Sequence, residues 1–238
     1  MATLVVSPHF DDAVLSAWAL LERPGTQVAN VFTGCPPEGG TAYWERLTRA
    51  RGTVAERIRE RVLEDADALA LAGIVPVNLG FVGSSYGDPA ALAQQLLDRL
   101  APLVARAASV VFPAAIGGHP DHRFVRDVGH LLHRSGKPVR FYADCPYSIK
   151  YGWPGWVTGA EQSAFLDEDV YLEQHLNDGG LSLQTLAPQV ARLEGAALGR
   201  KLAATEAYRT QVDALDSGPL RRVSNPDVVC FEVVWTPS

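Results

Sequence analysis

Two short segments of this chain concentrate side chains that can carry out chemistry. The first reads SPHFDD over residues 7–12, and the second reads GGHPDH over residues 117–122. Their histidines and aspartates are His9, Asp11, Asp12, His119, Asp121 and His122. Imidazole nitrogens and carboxylate oxygens are ligands that Zn²⁺ accepts in proteins. One His-x-x-Asp and one His-x-x-His spacing suffice for a catalytic zinc with three protein ligands and an open position for water. Two groups would remain for proton transfer.

Each segment also has a purely structural interpretation. Asp11 or Asp12 could cap the start of a helix, accept its free N–H groups and interact favourably with its dipole. His119 and His122 could be polar surface residues, with Asp121 as a helix cap. These alternatives require no metal and no reaction.

The two segments taken together favour metal chemistry. Pro120 suits the first position of a helix, so both histidines of the second segment can project from one side of the first turn. The remaining histidines are expected to be surface or packing residues, and they are His130, His133 and His175.

Hydrophobic patterning indicates the elements that position the two segments. Apolar runs of strand length occur at Thr3–Val6, Val28–Phe32, Val75–Phe81, Ser109–Phe112 and Val139–Ala143. Helical periodicity over Trp44–Leu71 and Pro89–Ala107 separates several of them. This alternation predicts βαβ units and a parallel sheet. SPHFDD then follows the first strand and GGHPDH the fourth, at carboxyl ends, where open α/β sheets bind ligands.

The later part of the chain has a different character. Asp144–Trp156 is rich in Pro, Gly, Tyr and Trp and predicts an ordered loop or a lid. Leu186–Tyr208 is helix-rich, and Val228–Trp235 predicts a last strand, antiparallel at an edge of the sheet. We therefore predict a single α/β domain over residues 1–238, with a Rossmann-like, open, mostly parallel sheet and helices on both faces. Residues 152–186 are expected to form a substrate loop or lid.

Composition limits the classes of partner. The chain has 238 residues, of which 47% are hydrophobic and 20% charged, with a net charge of -6. This balance provides no basic surface for a nucleic acid or an anionic membrane, so we expect a small-molecule partner. No signal peptide and no membrane span are expected from the short apolar runs. Three widely spaced cysteines suit a reducing compartment, and a cytoplasmic location is the prediction.

SPHFDD and GGHPDH resemble the two signature segments of the zinc-dependent LmbE-like, or PIG-L, superfamily of sugar de-N-acetylases. The resemblance covers most of the chain and is weakest over residues 152–200. It extends through VFTGCPP at 31–37, the helix over 61–73, LGF at 79–81, FPAAIGGHPDH at 112–122, DCPY at 144–147, and Tyr208 with Gln211. Two ordered signatures with matching flanks make this resemblance specific.

The resemblance implies hydrolysis of an acetamide on an N-acetylglucosamine-type amino sugar or a sugar-bearing small metabolite. It implies one zinc per chain, bound by His9, Asp12 and His122. Two imidazoles and one carboxylate would also accept Fe²⁺ or Co²⁺. The resemblance further implies Asp11 as the general base and His119 as the electrophile or general acid. Asp121 would orient an imidazole through a hydrogen bond.

The chain departs from the family pattern at several positions. Phe10 and Ala13 stand where the family commonly has Pro and Glu, but neither is an implied metal ligand. Gly117 stands where some members carry a tyrosine that assists the oxyanion. Gly83 and Gly87 occupy positions where relatives often have Asp and Arg. We therefore expect altered substrate contacts.

Candidate substrate contacts lie outside the two signatures. Arg61 could anchor a substrate hydroxyl or pair with Glu64, or it could be a solvated helix charge. Tyr147, Trp153 and Trp156 could stack on a sugar ring or flat aglycone, or could serve as packing anchors. Two other functions stay open: hydrolysis of another acyl amide or ester, such as a thiol conjugate, and ligand binding without turnover.

Overall fold

Seven strands of the described residues form one mixed sheet. The computed structural model describes residues 2–36, 52–83, 88–161, 168–216 and 222–237. The strands are β1 Thr3–Ser7, β2 Gln27–Asn30, β3 Val77–Asn78, β4 Ser109–Pro113, β5 Val139–Tyr142, β6 Leu186–Arg192 and β7 Phe231–Pro237. Their order is β3-β2-β1-β4-β5-β7-β6. The first five strands in this order are parallel, and β7 is antiparallel to both β5 and β6.

Helices cover both faces of the sheet. The described helices are α1 Asp12–Leu21, α2 Val54–Ala70, α3 Pro89–Val104, α4 Pro120–Arg134, α5 Gly155–Thr158, α6 Glu168–Asp178, α7 Gly195–Ala207, α8 Val212–Leu215 and α9 Pro226–Val229. One face packs against α1, α2 and α7, and the other against α3, α4 and α6. The predicted single-domain α/β architecture, with a mostly parallel sheet between helices, is confirmed. Among the described residues, no helix combines the length and apolar composition needed to cross a bilayer.

The central strand β1 is buried on both of its faces. Leu4 and Val6 point into the core on one side, and Val5 points into the core on the other, all without solvent exposure. A strand covered by helices on both sides reads as a continuous apolar run, as the sequence does here. The same burial anchors the start of the loop that follows β1.

Helix α2 begins with a capping box. Thr53 Oγ1 accepts the N–H of Glu56, and the Glu56 carboxylate accepts the N–H of Thr53 at 2.7 Å. These bonds satisfy N–H groups that the first helical turn leaves free. The helix predicted over Trp44–Leu71 is thus observed over Val54–Ala70, while residues 44–51 lie outside the described part of the chain.

The carboxyl-terminal strands differ from the prediction in two ways. Leu186–Arg192 is a strand and not a helix, and α7 begins only at Gly195. The last strand is antiparallel, as predicted, but it starts at Phe231 and lies inside the sheet. The strand at this edge of the sheet, beyond β7, is β6, which is mostly exposed and includes Pro188. Exposure removes the apolar alternation that would mark a strand, and proline is tolerated there because an edge N–H needs no partner.

Candidate active site

The loops after β1 and β4 meet because these strands are neighbours. His9 lies in the first loop, and Asp12 is the first residue of α1. His119 is the N-cap residue of α4 with Pro120 at the first helical position, so His122 lies in the first turn. The chain leaves β1 towards one face of the sheet and leaves β4 towards the other face. In open α/β sheets, ligands bind at the carboxyl ends of two such strands.

His9, Asp12 and His122 form a triangle of groups that could hold a metal ion, and their candidate ligand atoms all lie within 4.8 Å of one another. Asp12 Oδ2 is 3.3 Å from His9 Nδ1 and 3.3 Å from His122 Nε2. Tetrahedral zinc with bonds of about 2.0–2.1 Å separates its ligand atoms by about 3.3 Å. The observed spacing therefore fits one tetrahedral metal ion. The side chains of His122 and Asp12 are only 1% and 7% exposed, whereas that of His9 is 31% exposed and leaves one side open.

Asp144, which follows β5, holds the His122 ring. Asp144 Oδ1 lies 2.7 Å from His122 Nδ1, and Asp144 Oδ2 accepts the N–H of Ile116 at 3.0 Å. A carboxylate on one imidazole nitrogen fixes the ring and leaves the other nitrogen for a metal. The sequence-based prediction gave Asp144 no role. A carboxylate at the carboxyl end of the strand next to β4 was the signal that could have revealed it.

Asp121 makes the matching contact with the other candidate ligand ring. Its Oδ2 lies 3.0 Å from His9 Nε2, while His9 Nδ1 faces Asp12. This geometry suits the hydrogen bond to an imidazole that the resemblance implies for Asp121. His9, His119 and Asp121 also form a second group with metal-ligand spacing. The 3.0 Å contact is a hydrogen-bond distance, as expected of a carboxylate that orients His9.

The triangle is an environment that favours positive charge. Burial lowers the pKa of His122, but Asp12 and Asp144 outweigh burial and raise it well above its usual range. Burial likewise opposes protonation of His9, yet Asp12 and Asp121 raise its pKa to about 9. The pKa of Asp12 stays well below its usual range, because the neighbouring imidazoles outweigh burial. The carboxylates therefore stabilise positive charge at this position, as a site for a divalent cation requires.

Asp11 lies beside the triangle without belonging to it. It occupies the N-cap position of α1, but its side chain makes no capping hydrogen bond. Asp12 does not cap the helix either, because its Oδ2 accepts the N–H of His9 at 2.8 Å. The structure therefore does not support the capping interpretation of this pair. Burial, followed by the charge of Asp12, raises the pKa of Asp11 to about 6.

His119 faces the same site from the start of α4. Its ring centroid lies 5.1 Å from that of His9 and 5.2 Å from that of His122. Its Nδ1 accepts the N–H of Asp121 at 3.3 Å, so a neutral ring carries its proton on Nε2. Burial, with the charges of His9 and His122, lowers the pKa of His119 to about 4. At neutral pH the ring is a neutral hydrogen-bond donor.

Tyr147 closes one wall of the site. Its ring packs edge-on against His122, with centroids 5.7 Å apart. Gly117 has a φ of 85°, and a Cβ there would lie 2.6 Å from the Tyr147 ring. Both the backbone conformation and the space therefore require glycine at this position. Gly83 also borders the site, since a Cβ there would lie 3.3 Å from Asp121 Oδ2. Gly87 lies outside the described residues.

Arg61 and Trp153 are the other two candidate substrate contacts. Arg61 is half-buried on α2, and the nearby Glu64 binds the backbone N–H and hydroxyl of Thr210. The indole N–H of Trp153 donates to the carbonyl of Val228 at 2.9 Å, which explains the tryptophan as a packing anchor. Substrate contact by either residue stays a prediction.

Comparison with known structures first defines the class of fold. The chain is similar to the A40926 pseudoaglycone deacetylase, with a TM-score of 0.69 and 26% identity over 99% of this chain and 96% of that one. It shares its fold with the zinc-inhibited form of teicoplanin deacetylase, with a TM-score of 0.71 and 21% identity over 99% and 97%. No protein-family model matches the sequence.

Sequence comparison adds a particular relative. The chain is 31% identical over 160 residues to the 2'-N-acetylparomamine deacetylase of Streptomyces fradiae. The match includes 61% of this chain and 57% of that protein. The chain thus spans less than two thirds of the relative's length. It is similar to proteins named for removing acetyl groups.

Proposed function

We propose that this protein is a metal-dependent N-deacetylase of the LmbE-like, or PIG-L, superfamily. Its reaction is hydrolysis of the acetamide on an N-acetylglucosamine-type amino sugar within a glycosylated small metabolite. One observation carries the proposal: His9, Asp12 and His122 have the spacing of a tetrahedral metal site. Asp11 lies beside them and is not one of the three candidate ligands. The similarity to named deacetylases supports the reaction class.

The three ligands would hold one divalent cation. Zinc suits two imidazoles and a carboxylate, and Fe²⁺ or Co²⁺ would also be accepted. When bound, the cation supplies Lewis acidity, which lowers the pKa of water towards about 7 and polarises an amide oxygen. Asp144 and Asp121 keep the ligand rings of His122 and His9 in the required orientation.

Asp11 is the proposed general base. A pKa raised by burial to about 6 leaves its carboxylate mostly ionised at neutral pH and yet basic enough to accept a proton. Asp11 takes one proton from the attacking water on a carboxylate oxygen. It then delivers that proton to the leaving nitrogen when the C–N bond breaks. The products are the free amine and acetic acid, which keeps the second proton of the water and ionises to acetate in neutral solution, and the base returns to its starting form.

His119 is the proposed electrophile. An acetamide develops negative charge on its oxygen as water adds, and a hydrogen-bond donor aimed at that oxygen stabilises the transition state. The contact of His119 Nδ1 with the N–H of Asp121 leaves Nε2–H as this donor. Of the two roles that the resemblance implies for His119, its lowered pKa favours hydrogen-bond donation over transfer of a proton to the amine.

The substrate is proposed to be an N-acetylated amino sugar of an antibiotic intermediate. The names of the similar proteins include 2'-N-acetylparomamine and a pseudoaglycone, which are small molecules of this class. Tyr147, whose ring packs against His122, is a proposed substrate contact beside the metal triangle. Arg61, Trp153 and the 152–186 segment are the other proposed substrate contacts.

The test is acetate release by zinc-loaded protein from a panel of acyl compounds. The panel contains 2'-N-acetylparomamine, an N-acetylglucosaminyl pseudoaglycone, N-acetyl amino acids and an acetylated thiol conjugate. We expect release from the first two, loss of activity with a chelator and recovery with zinc. Asp11→Asn with its zinc retained is the inactive control. Zinc-loaded protein that releases no acetate, or that prefers the amino acids or the thiol conjugate, would contradict the proposal.

A further inference from the structure

A buried tyrosine and a buried aspartate lie beneath the loop that carries the metal ligands. Tyr208, just after α7, places its hydroxyl oxygen 3.0 Å from the Phe10 carbonyl oxygen and 2.9 Å from Asp65 Oδ1. Both Tyr208 and Asp65 are fully buried. Phe10 lies between His9 and Asp11. The contact therefore connects α7 and α2 with the stretch over residues 9–12, which we name the metal-binding loop.

Asp65 is held on its other side by an amide. Its Oδ2 accepts from Asn30 Nδ2 at 2.7 Å, and the same Asn30 group lies 3.1 Å from Asn78 Oδ1. In the part of the chain that the structure describes, no Lys, Arg or His side chain forms an ion pair with Asp65. A buried carboxylate without a cation is costly, and burial raises the pKa of Asp65 to about 7.

The hydrogen atoms at this site are limited in number. The Tyr208 hydroxyl has one proton, but two acceptors lie within hydrogen-bond distance. If Asp65 carries a proton on Oδ1, it donates to Tyr208, and Tyr208 donates its own proton to Phe10. An ionised Asp65 would instead compete with the Phe10 carbonyl for the single proton. Only the neutral acid allows both contacts to be full hydrogen bonds.

We propose that Tyr208, supported by a protonated Asp65, is a positioning residue that fixes the Phe10 peptide and thereby the metal-binding loop. The loop needs such support because the carboxylates of Asp11 and Asp12 are adjacent and both buried. Tyr208 acts through the backbone and is not a metal ligand. The inference rests on the proposed function for its effect on turnover, and on the candidate metal triangle for its effect on zinc binding.

Three variants separate this role from general packing. Tyr208→Phe removes only the hydroxyl. Asp65→Asn preserves a neutral group that can donate to Tyr208 and accept from Asn30. Thr26→Val is the matched control, because it likewise removes one buried hydroxyl that donates to a backbone carbonyl, that of Leu20 at 2.8 Å, just before β2.

The measurements are the zinc dissociation constant of metal-free protein, by competition with a chromogenic chelator, then the Tm, kcat and KM. We expect Tyr208→Phe to weaken zinc binding by about 10-fold and to lower kcat more than it raises KM. Asp65→Asn should stay within about twofold of the wild type in zinc binding, because its amide replaces the protonated acid. Thr26→Val should lower the Tm without weakening zinc binding.

Two results would overturn the inference. One is wild-type zinc affinity in Tyr208→Phe, and the other is a loss in Asp65→Asn as large as in Tyr208→Phe. If Tyr208→Phe does not fold, Asp65→Asn decides, since the inference requires that it keeps its zinc binding and a loss of zinc binding would overturn the inference. If the wild type binds zinc but hydrolyses no panel compound while Tyr208→Phe weakens zinc binding, the proposed function fails and this inference stands.

Discussion

The imidazole of His122 and the carboxylate of Asp144 form a 2.7 Å contact that is closed to solvent. The other oxygen of Asp144 accepts the N–H of Ile116, so the carboxylate is held from two directions. The contact connects the end of β5 with the first turn of α4 and directs His122 Nε2 towards Asp12. Metal affinity should therefore depend on a residue that does not touch the metal.

Replacement of Asp144 tests that dependence. We expect Asp144→Ala to weaken zinc binding by about 10- to 100-fold, because the His122 ring loses its fixed orientation. Titration of the metal-free variant against a chromogenic chelator measures the change. Asp127→Asn is the matched control, since Asp127 lies on the same helix with its side chain 63% exposed. Equal zinc affinities of Asp144→Ala and the wild type would refute the role.

The two adjacent aspartates of the metal-binding loop should respond differently to the same substitution. Asp11→Asn should keep zinc and lower kcat by about 100- to 10,000-fold, because it removes the proposed base. Asp12→Asn should lose zinc, because it removes the only carboxylate of the metal triangle. Metal analysis of each purified variant, together with acetate release, separates the two effects. Zinc loss in Asp11→Asn would show that the two roles are wrongly divided.

The metal-free protein should lose stability as the pH rises from about 6.5 to 9. The pKa of His9 is raised from 6.5 to about 9 in the folded protein. A group whose pKa is higher in the folded state stabilises that state fully when the pH is below its pKa in the unfolded chain. This contribution is lost as the pH rises through its pKa in the folded protein. Thermal unfolding in the presence of a chelator should show a falling Tm over this range. A flat or rising Tm would contradict the raised pKa of His9. Zinc-loaded protein, measured over the same pH range, is the comparison.

Gly117 and Gly118 form a matched pair for testing the wall of the site. Both have positive φ, so alanine at either position should cost about 1–3 kcal/mol of backbone strain. Only Gly117 also meets the Tyr147 ring, whereas a Cβ at Gly118 meets nothing within 4 Å. Gly117→Ala should therefore lower the free energy of unfolding more than Gly118→Ala. Equal losses in denaturant titrations would show that Tyr147 yields to the added methyl group.

The sheet was predictable where burial leaves a mark on the sequence. The apolar runs at Thr3–Val6 and Ser109–Phe112 match β1 and β4, because strands covered on both faces are continuously apolar. Strand β6 was predicted as part of a helix-rich stretch, because it is exposed and lacks this pattern. The place of β7 inside the sheet follows from pairing with β6, which no local pattern reports.

Residue type and spacing gave the set of candidate donors, and the family resemblance selected three ligands from it and offered Asp121 as a partner of an imidazole, but the other partners were not predicted. His9, Asp12 and His122 stand in two short segments at strand ends, and the order of parallel strands brings such segments together. Asp144 and Asp65 carry no comparable local pattern. Their carboxylates reach His122 and Tyr208 only through packing of elements that are distant in the chain.

By itself, the sequence determined which side chains could bind a cation and at which strand ends they stand, because residue chemistry and hydrophobic periodicity are local properties. The tertiary structure alone decided which carboxylate contacts each imidazole, that His119 Nδ1 faces the N–H of Asp121, and that the Tyr208 hydroxyl lies within hydrogen-bond distance of the Phe10 carbonyl. Those features depend on burial and on distances of a few ångströms between remote residues. Such distances are set by how the sheet and its helices pack together, and no short segment of sequence encodes them.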